Sequence, residues 1–192
     1  MQPGRFFYCG KFYLRNSKFW CMFKLQDYIR DIKDFPKPGI VYKDITPLLQ
    51  DPEAARKTTD ALLKAVGDLH VDKVVGIESR GFFFSTLLAE RLNAGFIPIR
   101  KPGKLPYETL QESYSLEYGE DVLEIHSDAI RPGEKVLIHD DVLATGGTAA
   151  AACKLVEKMG GEIVQCNFLM ELGFLNGKEK LKSYNVISLL TI

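Results

Sequence analysis

The sequence is short of cysteine, has no surplus charge of either sign and contains no long apolar run. Its four cysteines, Cys9, Cys21, Cys153 and Cys166, form no Cys-x-x-Cys pair and no other zinc spacing, so free buried thiols in a reducing cytoplasm are the plain reading. Lys plus Arg and Asp plus Glu balance at 25 each, which argues against binding a nucleic acid or a membrane surface through global charge. No apolar stretch approaches the length of a bilayer-spanning helix. There is no Gly-x-x-x-x-Gly-Lys-Ser/Thr and no Gly-x-Gly-x-x-Gly, which excludes a Walker loop and a dinucleotide fingerprint. Internal repeats and interdomain linkers are also missing. What remains is an ordinary hydrophobic share of 46% in 192 residues, enough for one α/β domain with a substantial core.

The first 21 residues lack any acid yet hold Arg5, Lys11, Arg15 and Lys18 among seven aromatics, Phe6, Phe7, Tyr8, Phe12, Tyr13, Phe19 and Trp20. They have neither the apolar core of a secretory signal nor a Ser-rich amphipathic pattern. Residues 1–21 are therefore expected to be a dispensable extension, with the folded domain covering 22–192. After Met22, Leu25, Tyr28, Ile29 and Ile32 fall at i, i+3, i+4, i+7 and predict a helix, stopped by Phe35-Pro36-Lys37-Pro38-Gly39.

Ile40–Tyr42 reads as a short extended segment. Thr46-Pro47 and Asp51-Pro52 each read as an N-cap followed by an N1 proline, the second opening a helix to about Val66. Lys73–Ile77 is a predicted strand, Glu78–Gly81 a turn, and Phe83, Leu87, Leu88 and Leu92 mark a helix. Strands at Phe96–Ile99, Val136–His139, Ile163–Met170 and Val186–Thr191, with a helix running through Leu155 to Gly160-Gly161, complete an alternating α/β chain with a parallel sheet. The polar stretch 101–125 interrupts the alternation, with short strands expected at Tyr114–Tyr118 and Val122–Ile125. It reads either as an active-site lid or as a hairpin covering the sheet edge. Phe82, Phe83 and Phe84 cannot all face one side of a helix. Phe84 is taken as the outward one, buried at a two-fold contact.

The chemistry concentrates in residues 136–148, an apolar strand, then Asp140 and Asp141, then Ala144-Thr145-Gly146-Gly147-Thr148 opening a helix. The acids are expected beyond the strand's carboxyl end, where ligands of open α/β sheets sit. Glycines and helix N–H groups attract a phosphate, while two carboxylates would repel it. Both features serve one ligand only if it also carries hydroxyls, a cation or a developing positive charge, as a phosphorylated sugar does. The acids could instead cap the following helix, but Thr145 or Thr148 can do that. His139, which alternation points away from Asp140, reads as structural.

This segment resembles the phosphoribosyl-pyrophosphate motif of the type I phosphoribosyltransferases. Phe35–Pro47, Glu78-Ser79-Arg80-Gly81-Phe82, Ile99–Pro106 and Ser113–Gly119 narrow the resemblance to the adenine phosphoribosyltransferase family, in order from about Leu25 onward. The resemblance implies a type I phosphoribosyltransferase fold of the α/β class, with a central, mainly parallel sheet flanked by helices, a small hood and a flexible lid loop. It implies conversion of adenine and 5-phosphoribosyl-1-pyrophosphate to AMP and pyrophosphate, with Mg²⁺ as cofactor held without dedicated protein ligands, in a cytoplasmic homodimer that binds neither nucleic acid nor membrane. Ala144, Thr145, Gly146, Gly147 and Thr148 would cradle the 5-phosphate. Asp140 and Asp141 would hold the ribose hydroxyls and stabilise its positive charge. Arg80, Lys101 and Lys104, with Arg100 less central, and Tyr118 would bind pyrophosphate. Val41 and Lys43 would meet the base edge through their backbone, Tyr42 would stack on it, and Glu117 would be the acid/base at the purine. Two alternatives stay open, an enzyme for another purine base and a non-catalytic sensor of phosphoribosyl pyrophosphate, although no length is left for a DNA-binding domain.

Overall fold

The computed structural model describes residues 23–115 and 120–192, so the extension 1–21 and the candidates Glu117 and Tyr118 lie outside the described residues. The helix expected from Leu25 is reduced to one 3-10 turn, Leu25–Tyr28. The chain then extends as β1 (Arg30–Lys33), paired antiparallel with β2 (Val41–Asp44). Cross-strand partners override the helical period here. Arg30 reaches Asp44 Oδ2 through Nε at 3.0 Å and Nη2 at 2.6 Å, and Lys43 Nζ reaches Asp31 at 2.8 Å. Between the strands, Asp34 takes φ +57 and accepts the Gly39 N–H at 2.7 Å. This hairpin is the small hood.

Helices α1 (Thr46–Gln50) and α2 (Pro52–Val66) follow. Thr46 does not cap α1 as expected; it lies inside the helix, and the Asp44 carboxylate accepts its N–H at 2.8 Å and also its hydroxyl. The bonds from Thr46, and then those from Arg30, hold the Asp44 pKa down at about 2. Asp51 does cap α2, accepting the N–H groups of Glu53 and Ala54 at 2.9 Å each.

The remaining elements are β3 (Lys73–Ile77), α3 (Gly81–Leu92), β4 (Gly95–Ile99), the antiparallel hairpin β5 (Thr109–Ser115) and β6 (Glu120–His126), β7 (Lys135–Leu143), α4 (Gly147–Lys158), β8 (Glu162–Glu171) and β9 (Val186–Thr191). The central sheet has the order β4-β3-β7-β8-β9 and is parallel throughout. Side chains alternate between two apolar layers. Val74 and Leu137 meet Leu62, Phe84 and Leu88 on the α2–α3 side. Val75, Val136 and Ile138 meet Ala152, Cys153 and Val156 of α4 on the other.

Three expectations need correction. The buried stripe of α3 is Phe84 and Leu88, fully buried, while Phe83 is 47% and Leu87 42% exposed. Phe84 is thus a core residue of the single chain and not an outward one. The polar stretch forms a longer hairpin than expected; its Leu123 and Ile125 are buried in the core on the α4 side, and Glu124 pairs antiparallel with Arg100 just beyond the edge strand β4. Finally, β7 runs on through both aspartates to Leu143, because β8 keeps pairing with it as far as Leu143↔Glu171. The acids lie within the strand and not beyond it.

Candidate active site

Strand β3 pairs with β7 only up to Gly76↔His139, so residues 140–143 of β7 have a partner on the β8 side alone. From β3 the chain crosses through α3 to β4; from β7 it crosses through α4 to β8, in the opposite direction along the sheet. Neighbouring strands whose connections diverge leave a crevice at their carboxyl ends. A cavity of about 560 Å³ occupies that place. Ile40, Val41, Tyr42 and Lys43 of the hood form one wall, and Glu78, Ser79 and Arg80 of the β3–α3 turn form another. Lys101 and Tyr114 close a third side, with Asp140, Asp141, Val142, Ala144, Thr148 and Leu172 at the base.

The diacid is pressed against the start of α3. A Cβ on Gly81 would lie 2.8 Å from Asp140 Oδ1 and 3.0 Å from the His139 carbonyl, so only glycine lets the helix begin there. Asp140 Oδ1 accepts the Asp141 N–H at 2.9 Å. Asp141 is buried, with Oδ2 3.0 Å from Arg80 Nε, an ion pair whose geometry is too poor for a hydrogen bond. Burial, and then the neighbouring Asp141 charge, push the Asp140 pKa well up. Burial also raises Asp141, with the Arg80 guanidinium opposing it. Such a pair gains negative charge when a cation or a developing positive charge comes close. His139 faces the other way. It is fully buried, its Nδ1 lies 2.6 Å from Asn167 Oδ1, and burial pushes its pKa down to about 4.

Next to the diacid, a recess of about 70 Å³ is lined by Val142 to Gly146 with Asp140, Thr148 and Ala149. Gly146 takes φ +76 at the N-cap of α4, and no side chain caps the helix, so neither Thr145 nor Thr148 plays the capping part expected of it. The first-turn amides are left for a ligand, at the positive end of a three-turn dipole. A Cβ on Gly146 would run into the Gly177 carbonyl, and one on Gly177 into the Ala144 carbonyl, so loop and Gly177 lie backbone to backbone. Gly147 is buried and borders a separate cleft beside Ser113, Tyr114 and Lys154, not the recess.

Arg80 bridges the walls. Its Nη1 donates to the Lys43 carbonyl at 3.0 Å, and its guanidinium carbon lies 4.7 Å above the Tyr42 ring. Glu78 gathers the root of the hairpin, accepting the Lys101 N–H at 2.9 Å, Arg100 Nε at 3.3 Å and Lys104 Nζ. Burial works against its ionisation, but these bonds prevail and its pKa lies below the ordinary carboxylate value. Lys104 sits on Glu78 outside the cavity lining, whereas Lys101 lines the cavity.

Sequence reasoning gave no role to Ile40, Glu78, Ser79, Tyr114, Val142, Leu172 or Gly177. Glu78 and Ser79 stood inside a quoted motif and could have been marked as turn residues at a strand end. The Asn176-Gly177 dipeptide signals a turn, yet nothing local reveals that the Ala144–Gly146 loop rests on it.

A phosphoribosyl transferase domain is the class this architecture defines, and a model of that domain matches residues 44–192, from the last residue of β2 onward. The adenine phosphoribosyltransferase of Christiangramia forsetii is 68% identical over 167 residues, 87% of this chain and 98% of the relative. A crystal structure of adenine phosphoribosyltransferase from Thermoanaerobacter pseudethanolicus superposes with a TM-score of 0.86 at 51% identity, covering 88% of this chain and 98% of that one. The Saccharomyces cerevisiae enzyme, solved with D-2,5-dideoxy-2,5-imino-altritol 1,6-bisphosphate and adenine, gives a TM-score of 0.82 at 43% identity, over 86% of this chain and 96% of that one. The chain belongs to the adenine phosphoribosyltransferase family.

Proposed function

We propose that this chain transfers the phosphoribosyl group of 5-phosphoribosyl-1-pyrophosphate to adenine, releasing AMP and pyrophosphate. One observation carries the reading. The main cavity brings the diacid together with the tyrosine-bearing hood and with Ala144 and Thr148, and the recess at the uncapped N-terminus of α4 adjoins it at Asp140. Ala144–Thr148 take the 5-phosphate through backbone N–H groups and the two Thr hydroxyls. Asp140 and Asp141 accept bonds from the ribose hydroxyls and stabilise the positive charge that grows as the C1–oxygen bond breaks. Arg80, Lys101 and Lys104 hold the departing pyrophosphate.

The base enters between Ile40, Val41 and Tyr42, with backbone groups of Val41 and Lys43 at its edge. In the structure Arg80 covers Tyr42 and engages the Lys43 carbonyl. Pyrophosphate at the Glu78–Arg80 turn offers Arg80 a stronger partner, which would free the ring face for the base. Glu117 is assigned the proton exchange with the purine, and Tyr118 a contact with pyrophosphate.

Mg²⁺ fits as a cofactor carried mainly by substrate oxygens and water. Asp140 and Asp141 line the cavity, and Asp141 Oδ2, ion-paired with Arg80, accepts no hydrogen bond. When bound, the ion would neutralise charge on the leaving pyrophosphate. We assign a cytoplasmic location, with which the buried free thiols of Cys153 and Cys166, hydrogen-bonded at 3.6 Å, are compatible. No helix of the described residues is long and apolar enough to cross a membrane. A homodimer is supported by the exposed apolar face of α3. Segment 1–21 is proposed to be dispensable for folding and activity.

The test is incubation with radiolabelled adenine, with and without phosphoribosyl pyrophosphate, beside hypoxanthine and xanthine. AMP formation that requires the sugar substrate and prefers adenine is expected. Preference for another base reassigns the substrate. Binding of phosphoribosyl pyrophosphate without turnover would favour a sensor.

A further inference from the structure

The cations facing the cavity already have partners within the chain. Lys101 Nζ is ion-paired with Asp121 of β6 and lies 3.2 Å from the Tyr114 hydroxyl and 5.6 Å from the Tyr114 ring centroid. The Tyr114 hydroxyl donates in turn to Asp121 Oδ2 at 3.0 Å, and Asp121 Oδ1 accepts the Val122 N–H at 2.9 Å. Asp121 is therefore fixed by a strand neighbour and a cross-strand phenol, whether or not Lys101 is present. Lys101 and Tyr114 line the cavity, whereas Asp121 stands behind them. Its side chain is 27% exposed and that of Lys101 37%, so the pair is only partly screened by water.

We infer that Asp121 is an internal counter-anion for Lys101 that competes with the pyrophosphate group and thereby sets how tightly pyrophosphate is held. The inference rests on the function proposed above. An incoming pyrophosphate must either draw Lys101 away and leave the Asp121 carboxylate uncompensated, or bind a cation already half-neutralised by Asp121, and both weaken its affinity. Weaker holding also speeds departure of the product after transfer, when two substrate-derived anions share the cavity. Asp121 touches no substrate and is a positioning residue. Glu78 differs, because it also ties the Lys101 backbone, Arg100 and Lys104 to the β3–α3 turn, and its loss would loosen the hairpin root.

The experiment uses the full chain and inorganic pyrophosphate with magnesium chloride, followed by titration calorimetry, together with kcat and KM for phosphoribosyl pyrophosphate at saturating adenine. Asp121→Asn keeps the acceptor for Val122 and removes the charge. It should tighten pyrophosphate about two- to fivefold, the scale of one partly exposed charge pair. It should lower KM without raising kcat, and the gain should shrink as salt rises. Asp121→Glu should restore the original values. Weaker or unchanged pyrophosphate binding in Asp121→Asn overturns the inference and makes Asp121 an ordinary support for Lys101. So does the absence of pyrophosphate binding to the unaltered protein. If Asp121→Asn melts early, Asp121→Ser gives the same reading. A protein that binds pyrophosphate but makes no AMP defeats the proposed function alone, and the binding comparison still judges Asp121.

Discussion

Asp140 and Asp141 could be singled out from sequence because two acids before a Gly-rich turn conflict with phosphate binding unless the ligand carries hydroxyls or positive charge. Their unequal surroundings could not. Asp141 is the more buried and meets Arg80, a residue far away in sequence, while Asp140 is pressed against Gly81. Contacts of this kind depend on where α3 begins relative to β7, and no local pattern encodes that. Replacing Asp141 by Asn keeps the shape and removes a charge whose value is greatest when the ribose becomes positive. Turnover should fall by about two orders of magnitude or more, with a smaller change in KM for the sugar substrate. Steady-state kinetics beside a melting curve check this, and full activity in a folded variant would falsify the role given to Asp141. Arg80 would also lose its charged partner, so the variant's Arg80 is freer to meet pyrophosphate, which makes a rise in KM the less expected result.

At the scale of elements, the buried strands were legible because they are short apolar runs bounded by turn residues, and Val186–Thr191 matches its strand end to end. Strand β1 was not, since Leu25, Tyr28, Ile29 and Ile32 satisfy a helical period and only pairing with β2 decides against it. The Ala144–Thr148 loop shows both sides at once. Its glycines were readable, but the buttress beneath it was not, because Gly177 reaches the loop through folding and not through sequence. A methyl group on Gly177 would meet the Ala144 carbonyl at a separation that real side chains do not tolerate, so the loop must shift. Gly177→Ala should therefore leave the sheet folded and raise KM for phosphoribosyl pyrophosphate about tenfold or more, a loss of the order expected when a phosphate cradle is displaced. The thermal shift produced by phosphoribosyl pyrophosphate should shrink in parallel. An unchanged KM would mean that the loop adjusts without cost and that Gly177 is a turn glycine only.

For the whole molecule, the open question is what covers α3. Phe83 and Leu87 lie one helical turn apart, 47% and 42% exposed, on the helix whose first turn follows Arg80. The sequence correctly required one of three consecutive phenylalanines to face outward, but the choice of Phe84 was wrong. The choice depends on which side of α3 meets β3 and β7, and the structure puts Phe84 inside. A lysine at Phe84 would therefore unfold the core, and Phe83 is the position that tests assembly. An isologous contact buries the same patch twice, and a stable dimer needs roughly 800 Å² from each partner, so Phe83 and Leu87 would be the centre of a larger face. Because Arg80 stands at the N-cap of α3, a contact along the helix would also steady the Glu78–Gly81 turn. Light scattering should give twice the 21.6 kDa chain mass for the unaltered protein. Phe83→Lys should give monomers that remain folded but turn over several-fold more slowly, with KM for phosphoribosyl pyrophosphate raised. A fully active monomer, in either protein, would break the link between assembly and the pyrophosphate turn, and a Phe83→Lys dimer would place the interface on another face.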